Sequence, residues 1–416
     1  MIRLRDEVTC SNCWKRFPPE EVLWVSAHRD LIGDPRLGTD EQMRFLPSRF
    51  DLSGNALDMR GQRCNELACP NCHLTIPRAL LEREPMFISI LGTPTCGKSF
   101  FLGTMVHGLR RDLPSRFRLA FSDADPAGNR LLAAYEDSLF LRQEPQQPVA
   151  MADLIEKTKE GGDLYRRVQF GELSVLYSRP FSFLVEPMNS HPSFHNAAVS
   201  RKVISLYDNA GEHFLPGKDS ADQPGTRHLA ESSFILFLFD PTQDPRWLAA
   251  VREKDPQAVL PKTPHAGRQE SVLREAAVRV QKLLGRPDGQ KHDRPLLVVL
   301  NKLDVWSALC PNAAEPFIRG QTGIVGLNMA RVAEQSEALR TILLRHIPEL
   351  VYAAEGFCEQ IYYMAASSLG APPEMGEDGQ ARIRPVDIAP RGVVAPFVLG
   401  MQLSTRGLVF ATKPTP

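Results

Sequence analysis

The chain has 416 residues, 43% of them hydrophobic and 24% charged, which describes an ordinary globular protein long enough for two domains. Its 49 Lys and Arg balance 49 Asp and Glu, so no global field singles out nucleic acid or an anionic membrane as partner, although a local basic patch for nucleic acid stays open. The N-terminal Met1-Ile2-Arg3-Leu4-Arg5-Asp6 lacks the apolar core of a signal peptide, and the longest apolar run, Phe234 to Phe239, is too short to span a bilayer, so a cytoplasmic location is expected. Eight cysteines do not suggest a disulfide scaffold in a chain of this size.

Four of those cysteines form two Cys-x-x-Cys pairs, Cys10-Ser11-Asn12-Cys13 and Cys69-Pro70-Asn71-Cys72. Each pair can aim two thiolates at one ion, and together they supply the four sulfur ligands of a closed tetrahedral Zn²⁺ site of the zinc-ribbon kind, structural rather than catalytic. Cys64 and His73 are spare donors that could displace one of the four. The long stretch between the pairs requires an inserted sub-structure, and Leu31 to Leu57, rich in Gly, Pro, Asp and Arg, reads as loops with short strands. No internal repeat is evident. Arg83-Glu84-Pro85 then marks a boundary, giving a zinc-ribbon-like domain over residues 1–84 and a second domain over 85–416.

The second domain opens with an apolar strand, Phe87 to Leu91, followed by Gly92-Thr93-Pro94-Thr95-Cys96-Gly97-Lys98-Ser99 and an amphipathic helix beginning at Phe100. That is the strand–loop–helix context of a phosphate-binding loop. Its terminal glycines let backbone amides from Gly92 to Phe100 and the helix N-terminus face a polyanion. Lys98 would reach the β- and γ-phosphates, and the Ser99 hydroxyl would join the shell of Mg²⁺. Val203 to Asp208 reads as a buried strand ending in Asp208-Asn209-Ala210-Gly211, where Asp208 can hold Mg²⁺ and the Gly211 amide can sense a third phosphate.

Pro295 to Leu300 is a continuous apolar run leading into Asn301-Lys302-Leu303-Asp304. A carboxylate at Asp304 can accept from guanine N1–H and its exocyclic amino group together, which adenine cannot supply. Lys302 would lay its stem on the base, and Asn301 would tie this loop to the phosphate loop. The strand Ile361 to Ala365 leads into Ser367-Ser368-Leu369, whose backbone can donate to guanine O6. Helical stripes over Gln269–Leu284 and Asn328–Ile347, and a last helix within Val393–Leu403, fit an α/β doubly wound sheet.

The ordered motifs resemble those of the TRAFAC-class P-loop GTPases from about Pro85 onward. With the Cys-x-x-Cys segment in front, the chain is similar to bacterial double-GTPase proteins of conflict or stress systems, often encoded beside a second GTPase. The resemblance implies a G domain of the P-loop NTPase fold with a mostly parallel sheet, GTP or GDP with Mg²⁺, and an effector or activator partner, a second GTPase among the options. It also implies a switch threonine on Mg²⁺, for which Thr158 is the candidate, with a solvated loop residue as the alternative reading. Where Ras-like enzymes carry a water-orienting glutamine, this chain has Glu212, followed by His213. Either Glu212 acts with a cation, or His213 places the water as neutral imidazole, or both are exposed switch residues. The expected activity is slow GTP hydrolysis by a switch protein; the alternative is a GTP-binding adaptor that does not hydrolyse, with its zinc ribbon binding protein or nucleic acid.

Overall fold

The computed structural model describes residues 4–155, 164–196, 201–209, 227–258, 260, 268–287, 289–310, 315–320 and 323–412. Its centre is a sheet of seven strands: β1 (Glu84–Leu91), β2 (Leu119–Asp123), β3 (Phe181–Pro187), β4 (Lys202–Asp208), β5 (Phe234–Phe239), β6 (Leu296–Leu300) and β7 (Ile361–Ala365). The spatial order is β2-β3-β4-β1-β5-β6-β7. The run β4-β1-β5-β6-β7 is parallel, whereas β2 and β3 add antiparallel pairings at one edge. The chain is thus mixed α/β with a large, mostly parallel sheet, as its apolar runs suggest.

The strands β4, β5 and β6 are buried at every position, which is why they read as continuous apolar runs rather than as alternation. Register pairs Asp208 with Ile90, Phe239 with Leu300, and Leu300 with Ala365. The C-terminal ends of these parallel strands therefore share one edge of the sheet.

The flanking helices are α1 (Lys98–Asp112), α2 (Arg130–Phe140), α3 (Pro245–Lys254), α4 (Glu270–Leu284), α5 (Met329–His346), α6 (Pro348–Phe357) and α7 (Ala395–Ser404). Local chemistry sets their ends. Asp244 caps α3 through the Arg246 amide at 2.8 Å, with Pro245 in the first turn. Asn328 caps α5 through the Arg331 amide, and Gly285 closes α4 in the left-handed conformation. On one face of the sheet, α1, α2 and α7 cover Ile88, Ile90, Ile204, Leu206, Leu236 and Leu297. On the other, α3, α4 and α6 cover Ile235, Phe237, Phe239, Leu296, Val298 and Leu300. None of the described helices is long and apolar enough to cross a membrane.

Over β4 and the start of β1 on the second face, the only helix among the described residues is the short Arg227–Glu231, whose His228 stacks on Tyr207. Phe87, Val203 and Tyr207 are covered there by Val8, Trp14, Phe17, Leu80 and Leu81 of the N-terminal segment, with Val168, Val175 and Tyr177 of the hairpin Tyr165–Phe170/Leu173–Ser178. Residues on both sides of Arg83-Glu84-Pro85 thus share one hydrophobic cluster. Within the N-terminal segment, Leu23–Val25 pairs with both Arg44–Phe45 and Leu67–Ala68, and Ile32–Asp34 forms a hairpin with Gly38–Gln42. Two consecutive turns share one geometry that the sequence pattern does not reveal. Asp51 accepts from the Asn55 amide at 2.8 Å and Asp58 from the Gln62 amide at 2.9 Å, with Gly54 and Gly61 both at φ 79°.

Helix α7 is apolar on all sides, with Ala395 to Met401 buried, and it approaches the sheet through Gly400. A Cβ there would lie 2.4 Å from the Phe234 ring, which is itself fully buried. Gly400→Ala is expected to destabilise the protein by about 1–3 kcal/mol through overpacking. Chemical denaturation should show a lowered midpoint with an unchanged slope.

Candidate nucleotide and metal sites

The phosphate-loop candidate leaves β1 at the shared edge and enters α1. A Cβ on Gly92 would lie 2.6 Å from the Leu238 carbonyl oxygen and 2.8 Å from Cys96 Sγ, so only glycine fits under β5. Gly97 holds φ 90° at the start of α1, and a Cβ there would meet Asn301 Nδ2 at 2.9 Å. Thr95 also adopts a left-handed φ of 66°, an uncommon backbone state that concentrates at functional loops. Lys98 folds back over its own loop, donating to the carbonyls of Gly92 at 2.9 Å and Thr93 at 3.1 Å. The first turn of α1 contains no acidic residue, which leaves its positive end open to an anion. Cys96 is fully buried, and burial pushes its thiol up. Ser99 and Phe100 lie partly exposed in the first turn, and Asp208 is buried at the end of β4.

The base-reading candidates assemble against this loop. Asn301 Nδ2 donates to the Cys96 carbonyl at 3.2 Å, and Asn301 Oδ1 accepts from Ser368 Oγ at 3.1 Å. Ser367 Oγ donates to Asp304 Oδ1 and accepts from the Gly370 amide at 2.7 Å. The Leu303 amide donates to the Ala366 carbonyl at 3.0 Å. Three separated segments, 92–100, 301–304 and 367–370, are therefore joined by direct hydrogen bonds. Leu369 follows in the same turn and is partly buried.

Sequence reasoning missed a second polar cluster at this edge. Asp240, directly after β5, has a fully buried side chain that pairs with Lys302 Nζ. It also accepts from Thr242 Oγ1 at 2.6 Å and from Gln243 Nε2 at 3.2 Å. Gln243 Nε2 reaches on to Thr95 Oγ1 at 3.3 Å. Gln269 Oε1 accepts from Thr93 Oγ1 at 3.2 Å and from the Asp240 amide at 3.0 Å, while its Nε2 donates to the Asp240 carbonyl at 2.7 Å. A buried carboxylate is tolerable only with such partners, and the result ties the phosphate loop to Lys302. The one sequence signal was an acidic residue at the end of a wholly apolar strand.

The N-terminal cysteines form a second centre. The Sγ atoms of Cys10, Cys13, Cys69 and Cys72 all lie within 4.8 Å of one another and are buried. Cys10 and Cys72 are 3.8 Å apart, and Cys13 and Cys69 are 3.7 Å apart. Zn–S bonds of about 2.3 Å in a tetrahedron place sulfurs about 3.8 Å from each other, so the donor set fits Zn²⁺. The two pairs are alike in detail. The Asn12 amide donates to Cys10 Sγ at 3.3 Å and the Asn71 amide to Cys69 Sγ at 3.4 Å, while Trp14 and His73, next in sequence, have φ of 56° and 60°. Burial pushes the Cys10 and Cys72 thiols up, so four thiolates there call for a cation. The spare donors lie elsewhere: Cys64 Sγ faces the Gln62 carbonyl, and His73 Nδ1 engages Asp34 Oδ2 at 2.8 Å.

Thr158, Gly211, Glu212 and His213 lie outside the described residues.

No family model matches the chain. It is similar to a candidate ESX-1 scaffolding and assembly protein, SaeC, of Mycolicibacterium smegmatis, at 23% identity over 322 residues, 73% of this chain and 72% of that protein. Among solved structures it is similar to Sup35 complexed with GDP, at 13% identity and a TM-score of 0.22 over 69% of this chain. It is also similar to the GTP-bound GTPase-like domain of S. cerevisiae Ski7, at 12% identity and a TM-score of 0.26 over 71% of this chain. The chain spans 38% and 45% of the length of those two structures.

The geometry predicts a tetrahedral metal at these four cysteines. Cys69→Ser should lose it and Cys64→Ser should retain it, as read by Co²⁺ substitution, where thiolate charge-transfer and tetrahedral ligand-field bands report the sulfur count.

Proposed function

We propose that the chain is a guanine-nucleotide-binding switch that hydrolyses GTP slowly. The observation that carries this reading is the hydrogen bond from Asn301 Nδ2 to the Cys96 carbonyl, which fixes a base-reading loop against a phosphate loop, together with the Ser367 hydroxyl that orients the Asp304 carboxylate. Guanine would dock its N1–H and amino group on Asp304, with Lys302 along its face and the Ser367-Ser368-Leu369 turn at O6. Lys98 would exchange the two loop carbonyls it now holds for phosphate oxygens. Ser99, Asp208 and Thr158 would hold Mg²⁺, which neutralises phosphate charge when bound. Gly211 would sense the γ-phosphate, and Glu212 or His213 would place the attacking water.

In this reading residues 1–84 carry a structural Zn²⁺ on Cys10, Cys13, Cys69 and Cys72 and residues 85–416 form the G domain of a cytoplasmic bacterial protein. An effector or activator, a second GTPase among them, would read its GTP-bound surface. A second reading, a GTP-binding adaptor that does not hydrolyse, draws on Glu212 in place of glutamine and on the similarity to a candidate scaffolding protein.

The test is base selection. The full metal-loaded chain should prefer GDP and GTP over ATP, and Asp304→Asn should weaken guanine nucleotide by about two orders of magnitude while gaining xanthine nucleotide. Equal binding of ATP, or no binding, would contradict the proposal. Single-turnover hydrolysis then separates the two readings: a slow rate that Lys98→Ala abolishes supports the switch, and none supports the adaptor.

A further inference from the structure

One side chain stands between the metal centre and the nucleotide edge. Trp14 follows the metal-site residue Cys13, is 3% exposed, and takes its left-handed φ from the turn of the cysteine pair. Its ring centroid lies 5.7 Å from Tyr207, 6.0 Å from His228 and 6.3 Å from Tyr177. Trp14 Nε1 donates to the Tyr207 hydroxyl at 3.1 Å, and that hydroxyl donates at 2.5 Å to the Ser11 carbonyl inside the first cysteine pair. The turn that presents two sulfurs is thus hydrogen-bonded on both sides to one tyrosine.

Two of the rings that Trp14 touches lead to the nucleotide edge. Tyr207 immediately precedes Asp208 on β4. It stacks on His228 at 5.0 Å with the planes 11° apart, and His228 lies in the short helix Arg227–Glu231, which follows the Asp208–Gly211 motif in sequence. His228 Nδ1 lies 2.7 Å from Ser89 Oγ on β1, just ahead of Gly92. Tyr177 belongs to the hairpin Tyr165–Phe170/Leu173–Ser178. That hairpin has a second contact with the N-terminal segment: the Arg36 guanidinium sits 4.7 Å over the Phe170 ring, and the Gln169 amide donates to the Arg36 carbonyl at 2.8 Å.

We propose that Trp14 is a positioning residue that couples metal binding at the four cysteines to nucleotide binding at the sheet edge. The metal fixes the turn, the turn fixes Trp14 and the Ser11 carbonyl, and these fix Tyr207 beside Asp208 and His228 beside Ser89. Close-packed aromatic rings in a buried cluster shift together rather than deform singly. This inference rests on the guanine-nucleotide reading of the edge. Linkage makes the coupling reciprocal, so nucleotide must alter metal affinity by the factor with which metal alters nucleotide affinity.

The experiment follows transfer of metal from the full, zinc-loaded chain to a chromophoric chelator without nucleotide, with saturating GDP, and with a non-hydrolysable GTP analogue. Nucleotide affinity is measured on the same samples. In the natural chain at least one nucleotide should change the metal-transfer equilibrium about fivefold or more. In Trp14→Leu and Tyr207→Phe, both ligands should still bind while that ratio falls toward one, an outcome that mere loss of packing would not produce. Tyr207→Phe keeps the ring and removes only the hydroxyl, so it decides the matter if Trp14→Leu does not fold. A ratio of one in the natural chain, or an unchanged ratio in Tyr207→Phe, overturns the coupling while leaving nucleotide binding intact. Failure of the natural chain to bind guanine nucleotide overturns the underlying reading and the coupling with it.

Discussion

Parallel pairing of β4, β1, β5, β6 and β7 places the C-terminal ends of five strands on one edge, and every polar feature of the nucleotide candidate depends on that alignment. Five loops leave this edge, carrying Asp208, the Gly92–Ser99 loop, Asp240, Asn301 and Ser367. The strands supply the rigidity: β5 and β6 are buried throughout, and each fully buried Leu, Val or Phe contributes about 1.5–3 kcal/mol relative to exposure. The open α/β arrangement concentrates ligand sites at such an edge.

Burial on both faces creates a second requirement, that each face be covered. Among the described residues the longer helices meet it except over β4 and the start of β1, where the cysteine segment, the hairpin Tyr165–Phe170/Leu173–Ser178 and the short helix Arg227–Glu231 do so instead. The cysteine segment is built of strands of two to five residues joined by long turns, and its apolar residues share one cluster with the sheet. A metal on the four thiolates would add folding free energy, and contact with Phe87, Val203 and Tyr207 adds apolar burial to both parts. The cysteine segment and the sheet are in this sense mutually supporting layers.

The parts legible in sequence were those with one dominant signal. Val203–Asp208 and Pro295–Leu300 fall on β4 and β6 because doubly buried strands tolerate little but apolar residues, and α4 follows the stripe Val272, Leu273, Ala276 and Val280. The four cysteines were legible from spacing alone, and the structure brings those four together without Cys64 or His73. Less legible were the features built from distant polar partners. Asp240, Gln243 and Gln269 carry no motif, and their joint contact with Thr93, Thr95 and Lys302 exists only once β5 and β6 are side by side. Trp14 reads in sequence as one more aromatic beside a cysteine pair; its neighbours Tyr177, Tyr207 and His228 are all more than a hundred residues away.

The central claim is that a guanine nucleotide lies across the segments joined by Asn301, Cys96, Asp304 and Ser367. Hydrogen–deuterium exchange of the metal-loaded chain with and without GDP tests it most directly. The account predicts slowed exchange in the amides of 92–100, 301–304 and 367–370 together, since those segments would close on one ligand. Protection confined to some other surface, or an unchanged exchange pattern at saturating GDP, would contradict it.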